Sequence, residues 1–275
     1  MPPAKKIIIS VFLLLLIITS GFIYLDTQYR VVENDSFGPG EKLTYRVHYS
    51  VFNAAEATMV IQDKVEMMNG RPCYKIDVFG RSKGVFEMVT KVRDNWGTYM
   101  DTAAVIPHKF YRYIEEGKYR KNEVVEFDHQ RNLAITKIYG KHDKNLLKKE
   151  LSHEVPVNVQ DMVSGYYFLR TLDYSKYKNG DTITVKGFFD EEVFDFQLKI
   201  LRRERLKTKL GKIPAIRMEP IMPDNDMFDG KNSVLFWLSD DENKIPLKIK
   251  AKMFIGAVEV DIKSQRGLKH PLVAD

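Results

Sequence analysis

The sequence predicts a mainly β protein, with one large curved antiparallel sheet that forms a half-barrel and one helix packed against it. Three observations predict this fold class. Apolar and polar residues alternate along most of the chain, one interior segment has helical periodicity, and a hydrophobic segment that can form a transmembrane or signal helix precedes them. With 275 residues, 44% of them hydrophobic, the chain is long enough to bury a full core.

The hydrophobic segment is an uncharged run from residue 7 to residue 25 that follows Lys5 and Lys6. As a helix, about 19 residues reach about 28 Å, close to the thickness of the hydrocarbon core of a bilayer. The lysines before the run predict that the rest of the chain lies on the far side of the membrane. The small residues at 19–21 make a poor cleavage site, so a retained anchor is favoured over a cleaved signal peptide.

The chain is therefore predicted to have four parts. Residues 1–26 are a membrane anchor or signal peptide, 27–39 a polar connector, 40–267 the exported antiparallel β domain and 268–275 a C-terminal tail. The predicted location is the cell envelope: anchored in the inner membrane with the domain on the periplasmic side, or secreted after signal cleavage. The single cysteine excludes an internal disulfide.

The strands are predicted from alternation. Leu43, Tyr45, Val47 and Tyr49 share one face of the first strand, and polar residues alternate with them. The pattern breaks at residues 53–55 and then resumes. Later strands are predicted at 57–67, 74–79, 86–99, 107–115, 119–127, 133–139, 182–189, 193–203, 212–220, 233–239, 245–254 and 257–264.

Two predictions concern local geometry. The segment 157–174 has apolar residues with a period near 3.6, which predicts an amphipathic helix against the sheet with Asn158 as its N-cap. The last two strands are predicted to form a hairpin with Ile255-Gly256 as its turn, so that one face is ionic and the other apolar. The predicted cross-strand pairs are Lys252–Glu259, Lys250–Asp261 and Ile249–Ile262.

No catalytic, metal-binding or cofactor-binding residues are predicted, and the protein is expected not to be an enzyme. The segment 224–230, DNDMFDG, lacks the acidic twelfth residue of a calcium loop, since Leu235 stands there. Ser164 lacks the setting of a nucleophile elbow, and Cys73 has no recognisable histidine partner. The histidines lack zinc-site spacings; they are His48, His108, His129, His142, His153 and His270.

Two further patterns have competing interpretations. The basic run Leu201–Lys212 could contact anionic lipid or an acidic glycan, but a charged solvent-facing hairpin is the favoured interpretation. Aromatic clusters around Tyr166 and Phe188 could line a pocket for a lipophilic or sugar ligand, or fill the core. A net charge of +6 with interspersed acidic residues predicts no nucleic-acid partner.

Three blocks of sequence resemble an exported bacterial family, domain of unknown function 3108. They are PGEKLTYRVHYSVFNAAEATM, DMVSGYYFLR and VLFWLSDDENKIPLKIKAKMFIGAVEV, and together they span about residues 37–267. The chain departs from the family pattern at Ala54-Ala55, where a glycine often precedes the glutamate. The resemblance implies an envelope protein whose antiparallel sheet is similar in plan to the half-barrels of lipoprotein carriers, and it implies no catalytic residues.

The expected function is a non-enzymatic binding module of the cell envelope that holds a lipophilic or envelope-derived ligand on a concave, aromatic-rich sheet face. The alternative is an assembly protein that docks another envelope protein through its sheet surface. A carrier predicts an apolar cavity, whereas a docking protein predicts a filled interior and an exposed apolar patch. An enzyme predicts clustered ionisable residues in a cleft.

Overall fold

The computed structural model describes residues 29–50, 52–221, 234–252 and 256–275. The strands are β1 Lys42–Tyr49, β2 Phe52–Met68, β3 Arg71–Ser82, β4 Arg93–Asp101, β5 Pro107–Glu116, β6 Tyr119–Asp128, β7 Leu133–Tyr139, β8 Leu147–Glu154, β9 Thr182–Phe189, β10 Glu192–Thr208, β11 Gly211–Ile221, β12 Val234–Ser239, β13 Pro246–Lys252 and β14 Ala257–Arg266. The helices are α1 Val85–Val89, α2 Met162–Arg170 and a 3-10 turn at Tyr174–Lys176.

All these strands form one antiparallel sheet, which confirms the predicted fold class. The strand order is β8-β7-β6-β5-β4-β3-β2-β1-β14-β13-β12-β11-β10-β9. The sheet is therefore two meanders joined at its centre, where β1 pairs with β14 and Lys42 lies opposite Arg266. Helix α2 follows β8 and precedes β9, so it links the two outer strands and packs under the curled sheet.

The core has three clusters of buried residues. One lies between the first meander and α2, around Phe37, Ile76 and Tyr167. A second lies between α2 and strands β9–β12, and a third holds β1 and β14 against β11–β13. Helix α2 contributes to the first two clusters. Each half of the sheet packs against α2, so apolar residues on two sides of this helix are buried.

Side chains also join the two outer parts of the sheet. The turn after β9 brings Asp190 to Arg112 of β5 and to Lys121 of β6, with 2.9 Å between the Lys121 and Asp190 side chains. Phe189 stacks on Trp96 of β4, their ring centroids 5.8 Å apart. These contacts curl the open sheet towards a barrel without hydrogen bonds between its edge strands.

One predicted element is wrong and one strand was missed. The strand predicted at 86–99 is the short helix α1 followed by β4, because Val85, Met88 and Val89 are exposed and no sheet neighbour pairs with them. Strand β8 was not predicted; its sequence LKKELSHE is charged because it is an exposed edge strand.

The break predicted at 53–55 is a β-bulge inside β2. Val47 pairs with Ala55 and His48 pairs with Asn53, so Ala54 is the extra residue on the bulged strand. The alternation fails there because one additional residue reverses the faces of the side chains that follow.

The last hairpin has the predicted faces but a different register. Lys252 pairs with Ala257, so four residues, 253–256, connect the strands rather than two. Gly256, with φ of 77°, occupies the left-handed region at the end of this connection. The pairs are shifted by two positions, which preserves the ionic face. The observed pairs are Lys250–Glu259, Lys248–Asp261 and Ile249–Val260.

The N-cap of α2 is Asp161, not Asn158 as predicted. Asn158 adopts a φ of 60° three residues earlier. The Asp161 carboxylate accepts hydrogen bonds from the backbone N–H groups of Val163 and Ser164, each at 2.7 Å. A carboxylate is the stronger cap here because it satisfies two free amides at once.

Candidate functional site

A cavity of about 540 Å³ lies between α2 and the concave side of the sheet, and its wall is almost entirely apolar. Strands β1–β3 form one side of the wall and strands β9–β14 the other. The volume falls in the range of about 300–1,000 Å³ that is typical of small-molecule sites. The interior of the half-barrel is therefore not filled by side chains.

Helix α2 lines the cavity with one face. Met162, Gly165, Tyr166 and Leu169 are spaced i, i+3, i+4 and i+7, which puts them on one side of a helix. Gly165 has no side chain, so the helix leaves room at this point. Apolar residues on the other side of the helix pack into the core.

The strands line the cavity with alternate residues. Ala57 and Met59 of β2 face it, as do Phe194, Phe196 and Leu198 of β10. The small Ala57 beside large aromatic rings leaves open space between the elements.

Gly187 of β9 is required by close packing in this wall. A Cβ at this position would lie 2.7 Å from Cζ of Phe194. Because Gly187 has none, the Phe194 ring can lie across the strand and complete the wall.

A buried ion pair lies at the C-terminal end of α2. Arg170 is fully buried, and its guanidinium donates to both carboxylate oxygens of Glu41, at 2.5 and 2.7 Å. It also donates to the backbone oxygens of Ser36 and Asn243, at 3.0 and 3.1 Å. Burial lowers the pKa of Arg170, but the charge and hydrogen bonds of Glu41 together with the neighbouring Tyr166 and Tyr167 raise it by more, so the group stays charged. The pair ties α2 to the segment before β1.

Three tyrosine hydroxyls are buried near this ion pair. Those of Tyr45, Tyr166 and Tyr167 have no hydrogen-bond partner among the described residues. Burial raises the pKa of each of the three, and the charge of Glu41 adds to the rise. The rings of Tyr45 and Tyr166 line the cavity while their oxygens are buried away from it, so the cavity surface stays apolar.

Asp161 ties the other end of α2 to the sheet. In addition to its two capping bonds, its carboxylate accepts a hydrogen bond from Thr98 Oγ1 of β4 at 2.6 Å. Burial raises the pKa of Asp161 to about 6, although these hydrogen bonds act in the opposite direction. Both ends of α2 are therefore fixed by buried charged residues, and the cavity wall between them is held in place.

The residues that the sequence suggested for catalysis have structural roles. Ser164 completes the capping box with Asp161. Cys73 is fully buried, and burial raises the pKa of its thiol to about 12. His108 contacts the Asp101 carboxylate at 3.3 Å, and neither residue lines the cavity. Among residues 29–50, 52–221, 234–252 and 256–275, no group of three His, Cys, Asp or Glu is arranged to hold a metal.

The basic run Leu201–Lys212 forms part of a β10–β11 hairpin whose three arginines are paired with acidic residues. Arg202 and Trp237 both donate to Glu204, at 2.6 and 2.7 Å, and Arg203 contacts Asp240 at 3.1 Å. The run is thus a charged hairpin. The possible calcium loop at 224–230 and the hydrophobic segment at 7–25 lie outside the described residues. In the described part of the chain, no helix has the length and hydrophobicity to cross a bilayer.

Sequence reasoning missed the Glu41–Arg170 pair, although the signal was present. Glu41 stands in the first of the three sequence blocks and Arg170 ends the second. A charged residue at the end of an apolar helical stripe needs a buried partner, and the partner is at the start of the domain. Each of the two aromatic clusters contributes to both the cavity and the core. Tyr166 and the neighbouring Gly187 line the cavity, whereas Tyr167 and Phe188 fill the core.

The fold and the cavity define a class of protein: a barrel-like domain in which one antiparallel sheet curls over a helix and leaves an apolar space beneath it. Within this class, the chain belongs to the family described as "Protein of unknown function (DUF3108)", which it matches over residues 44–263. The resemblance drawn from the sequence blocks is confirmed. A comparison with curated proteins finds no match.

Solved structures similar to this chain have very different sequences. A β-barrel-like protein of domain-of-unknown-function family 1849 from Brucella abortus has a TM-score of 0.51 at 9% identity, covering 86% of this chain and 98% of that chain. A candidate lipoprotein from Parabacteroides distasonis has a TM-score of 0.35 at 10% identity, covering 86% and 99%. A candidate exported protein from Bacteroides fragilis has 0.34 at 7%, covering 86% and 99%. The Brucella protein supports the fold alone.

Proposed function

We propose that this protein is a non-enzymatic binding module of the cell envelope that holds the hydrocarbon part of a lipid in the cavity beneath α2. The observation that carries the proposal is the apolar cavity of about 540 Å³. A docking protein would have a filled interior, so the open space favours the carrier over the assembly protein. The envelope location rests on the hydrophobic segment at 7–25 and its flanking lysines.

The wall chemistry decides which part of a ligand enters. Asp161 and Lys248 are the charged residues of the wall, and both are bonded to neighbouring protein groups: Asp161 to Thr98, and Lys248 to Glu259 at 2.6 Å. A charged group of a ligand would find no unpaired charge on this surface and would lose its hydration without compensation. The hydrocarbon chain therefore enters and the polar head remains outside.

The same wall supports a non-enzymatic role. General acid–base catalysis needs an ionisable group within reach of the bound ligand. The Asp161 carboxylate is occupied by three hydrogen bonds that cap α2, and Lys248 is in an ion pair. Neither is free to exchange a proton with a ligand in the cavity.

Native mass spectrometry of the full chain, purified from its own envelope, tests the proposal. We expect a discrete added mass that extraction with organic solvent removes. The extracted protein should then bind the neutral apolar probe N-phenyl-1-naphthylamine in the cavity. A bare polypeptide mass together with no probe binding would contradict the carrier and favour protein docking.

Cavity-filling variants locate the binding site. Ala57 and Ala251 both line the cavity, and phenylalanine at both positions would occupy much of its volume. We expect the double variant A57F/A251F to weaken probe binding by about tenfold or more. A55F is the matched control, because Ala55 lies two residues along the same strand and is not part of the wall. Equal binding by both variants would place the probe elsewhere.

A further inference from the structure

The cavity lies near one end of the sheet, which we call the loop end. It is the end of the sheet at which β1, β3, β9, β11 and β13 end and β2, β4, β10, β12 and β14 begin. Val234 is the first residue of β12, Ala251 is next to the last residue of β13, and Pro220 is next to the last residue of β11. All three line the cavity. The buried Glu41–Arg170 pair is at the opposite end, beside the start of β1.

Exposed apolar side chains are concentrated at the loop end. Phe52 at the start of β2 is 63% exposed, and Val85, Met88 and Val89 of α1 are 73%, 87% and 79% exposed. Helix α1 buries none of its side chains. A helix of five residues is marginal on its own. Phe86 packs edge-on against Tyr49 of β1, with ring centroids 6.5 Å apart. This contact holds the helix so that Val85, Met88 and Val89 project into solvent.

Other apolar residues extend this surface to the cavity. Ile221 ends β11, Val193 lies near the start of β10, and Ile249 of β13 is both exposed and part of the cavity wall. Met162, the first residue of α2, is also exposed and part of the wall. Exposed apolar side chains therefore reach the edge of the cavity at Ile249 and Met162.

We infer that the loop end contacts the surface of a lipid bilayer, with Phe52 and α1 inserted among the lipids. The inference deepens the proposed function, on which it rests, by naming the source of the ligand. Exposed apolar residues on several separate elements around an apolar opening can each insert into the hydrocarbon of a bilayer, because lipid adapts to their arrangement. A protein partner would require one contiguous surface of matching shape. Apolar side chains at the edge of the cavity let a hydrocarbon chain pass from bilayer to protein without crossing water.

Three lysines in the described part of the loop end are paired with acidic residues, which favours a zwitterionic over an anionic bilayer. Lys83 is paired with Glu56 at 2.9 Å and Lys250 with Glu259 at 2.7 Å. Lys186 and Asp195 are paired at 2.6 Å. These internal pairs weaken the positive field that would select anionic lipid, so insertion depends mainly on apolar area.

Fluorescence quenching tests the inference with the full chain reconstituted in unlabelled phosphatidylcholine nanodiscs and mixed with vesicles that carry the quencher. A retained anchor then does not itself bring the labels to the quencher. Met88→Cys carries an environment-sensitive nitrobenzoxadiazole label at the loop end. Met67→Cys carries it on a residue that is 63% exposed near the opposite end of β2. The unsubstituted protein is the blank, because Cys73 is fully buried. Quenching comes from doxyl-labelled phosphatidylcholine.

We expect strong quenching and a blue shift at position 88 and neither at position 67. Adding anionic phosphatidylglycerol should change the quenching by less than about twofold. Equal quenching at both positions, or none at position 88, would overturn the inference. A blue shift at position 88 that appears only with envelope protein extract, without doxyl quenching, would overturn it in favour of a protein partner.

Substitution within the exposed surface gives the second test. Val85→Glu with Val89→Glu in the labelled protein should reduce the quenching at position 88 by about tenfold, since two charges oppose insertion. The variant keeps the fold because α1 has no buried side chain. Val65→Glu, an exposed residue far from the loop end, is the control and should leave the quenching unchanged. The cavity variant A57F/A251F should also retain it, which separates membrane contact from ligand binding.

Discussion

At the scale of single residues, the Glu41–Arg170 pair is the most consequential interaction near the candidate site. Both side chains are fully buried, and the guanidinium has four acceptors: two carboxylate oxygens and two backbone carbonyls. A buried charge is tolerated only when its hydrogen-bonding capacity is satisfied in this way. The rings of Phe37 and Tyr167 add cation–π contacts at 5.1 and 5.2 Å.

Removing one partner of this pair should be costly. We expect Arg170→Met or Glu41→Gln to lower the free energy of unfolding by about 3–5 kcal/mol, because each leaves the other partner buried without compensation. The double variant should cost less than the sum of the single variants. Urea unfolding of the four proteins measures this coupling. Additive effects would show that the two residues do not act as a pair.

The surface pair Asp173–Lys176 is the control for this prediction. Its side chains are 52% and 78% exposed. Lys176→Met should change the unfolding free energy by less than about 1 kcal/mol, because water screens exposed ion pairs.

Asp101 determines part of the pH dependence of stability. Burial raises the pKa of Asp101. Hydrogen bonds from His108, Arg71 and the backbone of Ala103 and Ala104 together lower it by more, so the pKa lies well below its usual value. A depressed carboxylate pKa stabilises the fold above the unfolded-state value of about 4 and loses this contribution as the pH falls below it.

We therefore expect Asp101→Asn to flatten the loss of stability at acid pH. Urea unfolding between pH 7 and pH 3 should show that the difference between wild type and variant shrinks as the pH falls. A difference that stays constant over this range would contradict the assigned role of the charge.

At the scale of elements, α2 is a short helix fixed at both ends. Its nine residues would not form a stable helix in isolation. The Asp161 cap and its bond to Thr98 hold one end, and Arg170 holds the other. Stability of the helix is thus supplied by the sheet on either side of it, which is why this wall of the cavity can carry Gly165.

Loss of the cap should loosen the helix. We expect Asp161→Ala to destabilise the protein by about 1–3 kcal/mol, since two helix amides and the Thr98 hydroxyl lose their acceptor. Hydrogen exchange of the α2 amides should rise more than that of β13 and β14. Met162→Ala, at the exposed first position of the helix, is the control and should leave exchange nearly unchanged. Uniform exchange across the protein in the Asp161 variant would contradict a local effect.

At the scale of the whole molecule, the two meanders depend on one long-range pairing. Strands β1 and β14 lie far apart in sequence but next to each other at the centre of the sheet. Closing such a loop must precede the gain from its contacts, which slows folding. Each meander has one tryptophan, Trp96 in β4 and Trp237 in β12.

The single-tryptophan variants W96F and W237F report on one meander each. We expect both probes to show the same slowest refolding phase in stopped-flow experiments, in the range of about milliseconds to seconds, because the β1–β14 pairing unites the two cores. A mutation in the β1–β14 pairing, such as Ile262→Val in β14, should slow folding and leave the unfolding rate nearly unchanged if this pairing forms early. Distinct rates for the two tryptophans would show that the meanders fold independently.

The sequence by itself determined the fold class and most of the strands, because side-chain alternation depends on neighbours two positions apart. It also predicted which faces of the last hairpin are ionic and apolar. It did not predict the bulge at Ala54 or the exposed helix α1. These depend on which strands are adjacent and where pairing ends, and that information is not local.

Only the tertiary structure decided that the interior is open and where the opening lies. Alternation shows that Ala57 shares a face with Met59 and that Phe196 shares one with Phe194, but an empty space depends on the distance between elements far apart in sequence. The partner of Arg170 likewise lies 129 positions away at Glu41. Cavities and buried ion pairs are properties of several chain segments brought together, so only their joint packing determines them.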